Sequence, residues 1–191
     1  WHKSLDKPRV TGEGIIKEDL NVLPPRASVM KRIEAAGLTS DQAGYLWMDD
    51  SLGLILDKLD ELKLTKNTLV LFIADHGSSN KGSLYKAKGT EVPCIMRWPA
   101  GMKAGVRSQE LIQNTDFVPT WFELAGVKKP TTYQVDGVSL RALFQEPHKP
   151  VRKHVYAEIG AARSIKTKTH SYIALRYTRE QIAGVKESHR R

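Results

Sequence analysis

Thr68-Leu69-Val70-Leu71-Phe72-Ile73-Ala74-Asp75-His76-Gly77 is the stretch whose pattern decides the fold. From Thr68 to Ala74 every residue is apolar or β-branched. The run is too short for a helix and shows no alternation. That is the signature of a strand covered on both faces, as in a parallel sheet with helices above and below. It ends in Asp75-His76-Gly77. In open α/β sheets ligands collect at the carboxyl ends of strands. A carboxylate and an imidazole there can converge on a metal, and Gly77 lets the backbone turn tightly. The tripeptide by itself also suits a plain turn, with Asp75 satisfying backbone amides.

Upstream, Tyr45, Met48, Leu52, Ile55, Leu59 and Leu62 recur every three or four residues, which predicts a long helix that Asp41 could cap. Asp49, Asp50, Lys58 and Glu61 fall off that stripe, on a solvated face. A shorter helix is expected over 28–36, stopped by Gly37. Residues 1–27 read as irregular, broken by Gly12, Gly14, Pro8, Pro24 and Pro25. A helix feeding a buried strand is half of a βαβ pattern. Downstream, 92–98 forms a second strand candidate and 116–124 a helix with Pro119 in its first turn. Short strands are expected at 154–159, 163–167 and 172–177, before a polar helix or tail.

Composition bounds the function. The chain has 191 residues and 40% apolar content, enough for a packed core. No apolar run approaches the roughly 20 residues of a membrane span, and no secretory segment is visible. The formal charge is +9, from 30 basic against 21 acidic residues. The basic residues cluster late and do not alternate with aromatics, so nucleic acid is not expected; such a charge also suits a polyanionic carbohydrate. The single cysteine, Cys94, excludes an internal disulfide or a multi-cysteine metal site.

Further motifs follow in order. They are Asn80-Lys81-Gly82-Ser83-Leu84-Tyr85, Val92-Pro93-Cys94-Ile95-Met96-Arg97-Trp98-Pro99, Thr115-Asp116-Phe117-Val118-Pro119-Thr120, and Asp136-Gly137-Val138-Ser139-Leu140. With Asp75-His76-Gly77 at their head, the series resembles the sulfatase family of the alkaline-phosphatase superfamily. The match runs from about residue 42 to residue 176.

The resemblance implies an α/β fold with a central, mostly parallel sheet flanked by helices. Residues 1–150 would be the later part of the catalytic domain. Residues 151–191 would start a small antiparallel C-terminal subdomain. It implies hydrolysis of a sulfate ester, on a sulfated small molecule or carbohydrate. Asp75 and His76 would help hold one divalent cation, usually calcium. Lys81 would contact the sulfate, and His2 could belong to a substrate loop. Family habit points to a periplasmic, lysosomal or secreted protein.

The sequence departs from the family in three ways. The family loop reads Tyr-Glu-Gly-Gly, whereas Tyr85-Lys86-Ala87-Lys88-Gly89 is more basic and one residue longer, so Lys86 or Lys88 could share the anion contact. Glu91 stands where an arginine is common. The family nucleophile, oxidised to formylglycine, is a Cys or Ser in Cys/Ser-x-Pro/Ala-x-Arg. Cys94 fails that pattern and reads as a buried structural thiol. The nucleophile and the early Asp-Asp metal pair are therefore expected upstream, in a missing N-terminal part of the same domain. Asp116 reads as a helix cap and Tyr85 as packing. Two rivals stay open: a phosphate or phosphonate ester hydrolase of the same superfamily, and a non-catalytic anion- or glycan-binding protein keeping the fold.

Overall fold

The computed structural model describes residues 9–11, 14–16, 22–77 and 81–188. By its internal contacts the chain forms two units, residues 1–68 and 69–191.

In the first unit, β1 (Arg9–Thr11) pairs antiparallel with β2 (Gly14–Ile16). This ribbon falls in a region whose sequence reads as irregular; strands of three residues are too short to show a period. Helix α1 (Arg26–Ala35) ends before Gly37, whose φ of +66° only glycine adopts freely. Helix α2 (Ala43–Glu61) follows a 3-10 turn at Ser40–Gln42. The two helices meet through Val29, Ile33 and Ala43, flanked by Met30, Leu46 and Trp47. The contact therefore uses a different face of α2 from the Tyr45–Leu62 stripe, and Tyr45, Met48, Ile55 and Leu62 stay exposed. Asp50 lies near the contact. Arg32 grips both its carboxylate oxygens, at 2.9 and 2.6 Å, so Asp50 is not on a solvated face as the pattern suggested, whereas Asp49 is exposed.

In the second unit, β3 (Val70–Ile73) pairs with β4 (Cys94–Arg97), Ile73 opposite Cys94. The pairing is antiparallel, and so is every strand pairing among the described residues; the expected parallel central sheet is not among them. The apolar run reports covered faces, not the direction of the neighbouring strand. Here even the covering is partial: β3 is half-buried along most of its length. A short helix α3 (Ala87–Thr90) lies between these strands. Helix α4 (Phe117–Leu124) follows a 3-10 turn at Asn114–Asp116. Then β5 (Val155–Ile159), β6 (Ala162–Lys166) and β7 (Ser171–Leu175) form an antiparallel sheet in chain order, before α5 (Arg179–Ser188).

The interior of this unit is built around two of the sequence motifs. Asp116 is fully buried, and its carboxylate accepts the Gln113 N–H at 2.8 Å, the Val138 N–H at 2.9 Å, and a guanidinium N–H of Arg152. The Thr120 hydroxyl donates to the Asp116 carbonyl at 2.6 Å and accepts the Leu140 N–H at 2.9 Å. Gly137 lies so close to Thr115 that a Cβ would stand 1.9 Å from its carbonyl oxygen. The Asp116–Thr120 and Asp136–Leu140 motifs thus form one polar clamp. Asp116 stands at the N-cap of α4 but makes no side-chain cap bond there; its carboxylate instead closes the preceding 3-10 turn and joins three parts of the unit. Leu140 and Phe144 complete the packing, with Trp98 edge-on to Phe144 at 6.2 Å.

Candidate functional site

Strand β3 delivers Asp75 and His76 just past its carboxyl end, where no ladder partner constrains their side chains. The His76 amide donates to Asp75 Oδ1 at 2.9 Å, holding the carboxylate beside the ring. His76 Nδ1 stands 3.0 Å from the Gly77 carbonyl, and His76 Nε2 stands 3.3 Å from Asp75 Oδ2. A carbonyl can only accept, so Nδ1 carries the proton and donates. A carboxylate oxygen and a ring nitrogen this close form a pair that one cation could bridge. Two ligand atoms at right angles on one calcium, each about 2.3–2.6 Å from it, lie about 3.3–3.7 Å apart. The Asp75 carboxylate is an oxygen donor of the kind calcium takes, and the imidazole would add a nitrogen. Calcium takes about six to eight oxygens, and among the described residues no group of three or more His, Cys, Asp and Glu is gathered. Asp75 and His76 would be two of the ligands of such a cation.

The pair is open to solvent, with Asp75 87% and His76 33% exposed at their side chains. The loop bearing Lys81 returns beside it. The Gly77 N–H donates to the Gly89 carbonyl at 3.2 Å, and the Gly82 N–H to the same oxygen at 3.0 Å. Leu84 anchors the loop in the interior, and Gly82 packs near Ile159 of β5. Lys81 and Lys86 are both exposed. The side chain of Lys88, and the whole of His2, lie outside the described residues. Tyr85 is 59% exposed, so its packing role is not realised here. Glu91, the residue that replaces an arginine, pairs with Lys166 of β6 at 2.9 Å and ties the loop's far end to the C-terminal sheet. Sequence reasoning passed over both Gly89 and this ion pair; the glycine inside a motif with an extra residue was the available signal.

Cys94 sits at the start of β4, half-buried, and burial pushes its thiol above the ordinary range. That disfavours the thiolate and keeps the residue a poor nucleophile. A groove of about 940 Å³ runs along β4, lined by Ile95, Arg97, Trp98, Val106, Glu110 and Phe144 among others. It contains neither Asp75, His76 nor Lys81.

Comparison with known proteins gives a consistent picture. A sulfatase family model matches residues 22–127. The ulvan-active sulfatase of Formosa agariphila is 39% identical over 126 residues, covering 61% of this chain and 25% of that protein. Human steryl-sulfatase is 37% identical over 117 residues, covering 51% of this chain and 20% of that protein. Among solved structures, one protein in complex with its substrate D-glucosamine-2-N,6-O-disulfate aligns with a TM-score of 0.61 at 26% identity, over 70% of this chain and 30% of its own. The chain thus spans a fifth to a quarter of the length of these curated relatives.

Proposed function

This chain belongs to the sulfatase family, and from that premise we propose that the whole protein hydrolyses a sulfate ester, with residues 75–89 supplying part of its cation site and its sulfate contact. The observation that carries this reading is the 3.3 Å approach of His76 Nε2 to Asp75 Oδ2 at the end of β3, beside a loop that bears Lys81. Asp75 offers a charged oxygen and His76 a nitrogen to the cation, calcium by family resemblance. When held there, the cation would polarise sulfate oxygens as a Lewis acid. The Lys81 ammonium, a compact charge with three donors, stabilises the charge that builds on sulfate and leaving group. The nucleophile, a formylglycine in the family pattern, is assigned to a segment outside residues 1–191, because no Cys or Ser in the chain opens the Cys/Ser-x-Pro/Ala-x-Arg pattern. A sulfated carbohydrate is the favoured substrate class. One relative is named for activity on ulvan, one structural neighbour takes a disulfated glucosamine, and the +9 charge suits a polyanion.

The test is the full-length protein with calcium, assayed on an aryl sulfate and on the matching aryl phosphate. Sulfate turnover that disappears with Asp75→Ala is the expected result. His76→Asn should be milder, since an amide oxygen can replace the imidazole as ligand. Lys81→Ala should lower kcat/KM by a factor on the order of 10²–10³, the loss for one preorganised stabiliser of developing charge. If Lys81→Ala is silent while Lys86→Ala or Lys88→Ala is crippled, the anion contact belongs to the later lysine. Preference for the phosphate ester would replace the reading by the phosphatase alternative. Glycan binding without turnover would replace it by the non-catalytic one.

A further inference from the structure

Deepening the sulfatase reading and resting on it, we propose that Gly89 is a positioning residue, setting the Asp75–His76 pair and Lys81 in register with each other. One carbonyl oxygen does this. The Gly89 oxygen accepts the N–H of Gly77, the residue after His76, and the N–H of Gly82, the residue after Lys81, at 3.2 and 3.0 Å. A carbonyl has two lone pairs, so this acceptor is fully used on the two amides. The Gly89 N–H donates in turn to the Lys86 carbonyl at 3.0 Å.

The reason for glycine is space. A Cβ on Gly89 would stand 2.1 Å from the Ser83 carbonyl oxygen and 2.8 Å from the Ser83 nitrogen. Both are backbone atoms, so no rotamer change relieves the collision. Gly89 is buried. Any side chain at this position pushes the 89 peptide off Ser83 and lengthens both hydrogen bonds. The cation pair and the lysine then lose their common reference point. Misplacement by about 1 Å can cost on the order of 10² in rate, and loss of a group supporting a metal ligand costs about 10–100-fold in affinity or activity.

The experiment uses the full-length protein, with calcium affinity by calorimetry beside aryl-sulfate kinetics. Gly89→Ala should weaken calcium about tenfold or more, whereas Lys81→Ala should leave it nearly unchanged. With calcium saturating for every variant, Gly89→Ala should also lower kcat/KM by on the order of 10², yet add little when Lys81 is already alanine. A merely structural role would make the two losses multiply. Gly82→Ala is the milder companion, for use if Gly89→Ala does not fold. Its φ of +70° strains an alanine, but its Cβ would find only Ile159 Cδ1, at 3.8 Å. It should show a smaller loss, again absorbed by Lys81→Ala. Unchanged calcium affinity, or losses that multiply in the double variants, overturns the assignment. A wild-type protein that neither binds calcium nor turns over the ester overturns the sulfatase reading itself, and this assignment with it.

Discussion

Single residues in this chain take their roles from their immediate partners more than from their chemistry. Asp75 and Asp50 are both aspartates after an apolar stretch. Asp75 is open and lies 3.3 Å from the His76 ring; Asp50 is 12% exposed and clasped by Arg32. The Arg32 hydrogen bonds hold the Asp50 carboxyl below its usual range. A carboxyl whose pKa is depressed by folding adds stability above its unfolded pKa and loses it as pH falls through the folded value. The α1–α2 contact should therefore weaken as the pH drops below about 4. Thermal melts across the acid range should show this loss in the wild type and a flatter acid limb in Asp50→Asn. An equally steep limb in the variant would remove Asp50 from the account. Cys94 makes the converse point. Its sequence context already argued against a nucleophile, and burial raises its thiol rather than activating it.

At the scale of elements, α4 shows how a short helix is held. Eight residues contribute little helical stability by themselves. Phe117 and Trp121 stack at 6.0 Å on one side. The buried carboxylate of Asp116 and the hydroxyl of Thr120 bind the 136–140 loop on the other. Breaking a buried pair leaves an uncompensated charge, and Arg152 is only 13% exposed. Asp116→Ala should thus destabilise the second unit by about 3–5 kcal/mol, read as the shift in a denaturant midpoint at unchanged slope. A change under about 1 kcal/mol, the range of an exposed pair, would show that water reaches Arg152 and that the clamp is worth little. Thr120→Val should cost less, because it removes neutral hydrogen bonds and keeps the volume.

For the molecule as a whole, the balance of buried and exposed apolar surface is the governing fact. Val29, Ile33, Leu84, Leu140 and Phe144 are buried, but Ile73 and Ile95 on β3 and β4, and Tyr45, Met48, Ile55 and Leu62 on α2, remain exposed. Ile95, mid-strand, is 62% exposed. Open strand edges and apolar helix faces of this kind promote association. The 191-residue chain expressed by itself should self-associate, and it should show no sulfate-ester turnover, since no nucleophile of the family pattern lies within it. Sedimentation and an aryl-sulfate assay check both. A monomer with a single sharp melt would contradict the first, and turnover lost on Asp75→Ala would contradict the second.

Family and element positions were legible in the sequence because both are written locally. Apolar periodicity marked α2, the apolar run marked β3, and five motifs in order pointed to the sulfatases. The place of Asp75 and His76 just past the end of β3 was legible for the same reason: they follow the apolar run directly in the chain. Strand direction was not legible, because an apolar run carries no information about its neighbour's polarity, and β4 returns antiparallel to β3. Nor were the contacts of Asp116 with Val138 and Arg152, of Arg32 with Asp50, or of Gly89 with Gly77 and Gly82. Each joins residues that no local period relates. A hydrogen bond needs its atoms within about 3 Å and roughly in line, and only the folded path of the backbone brings them there.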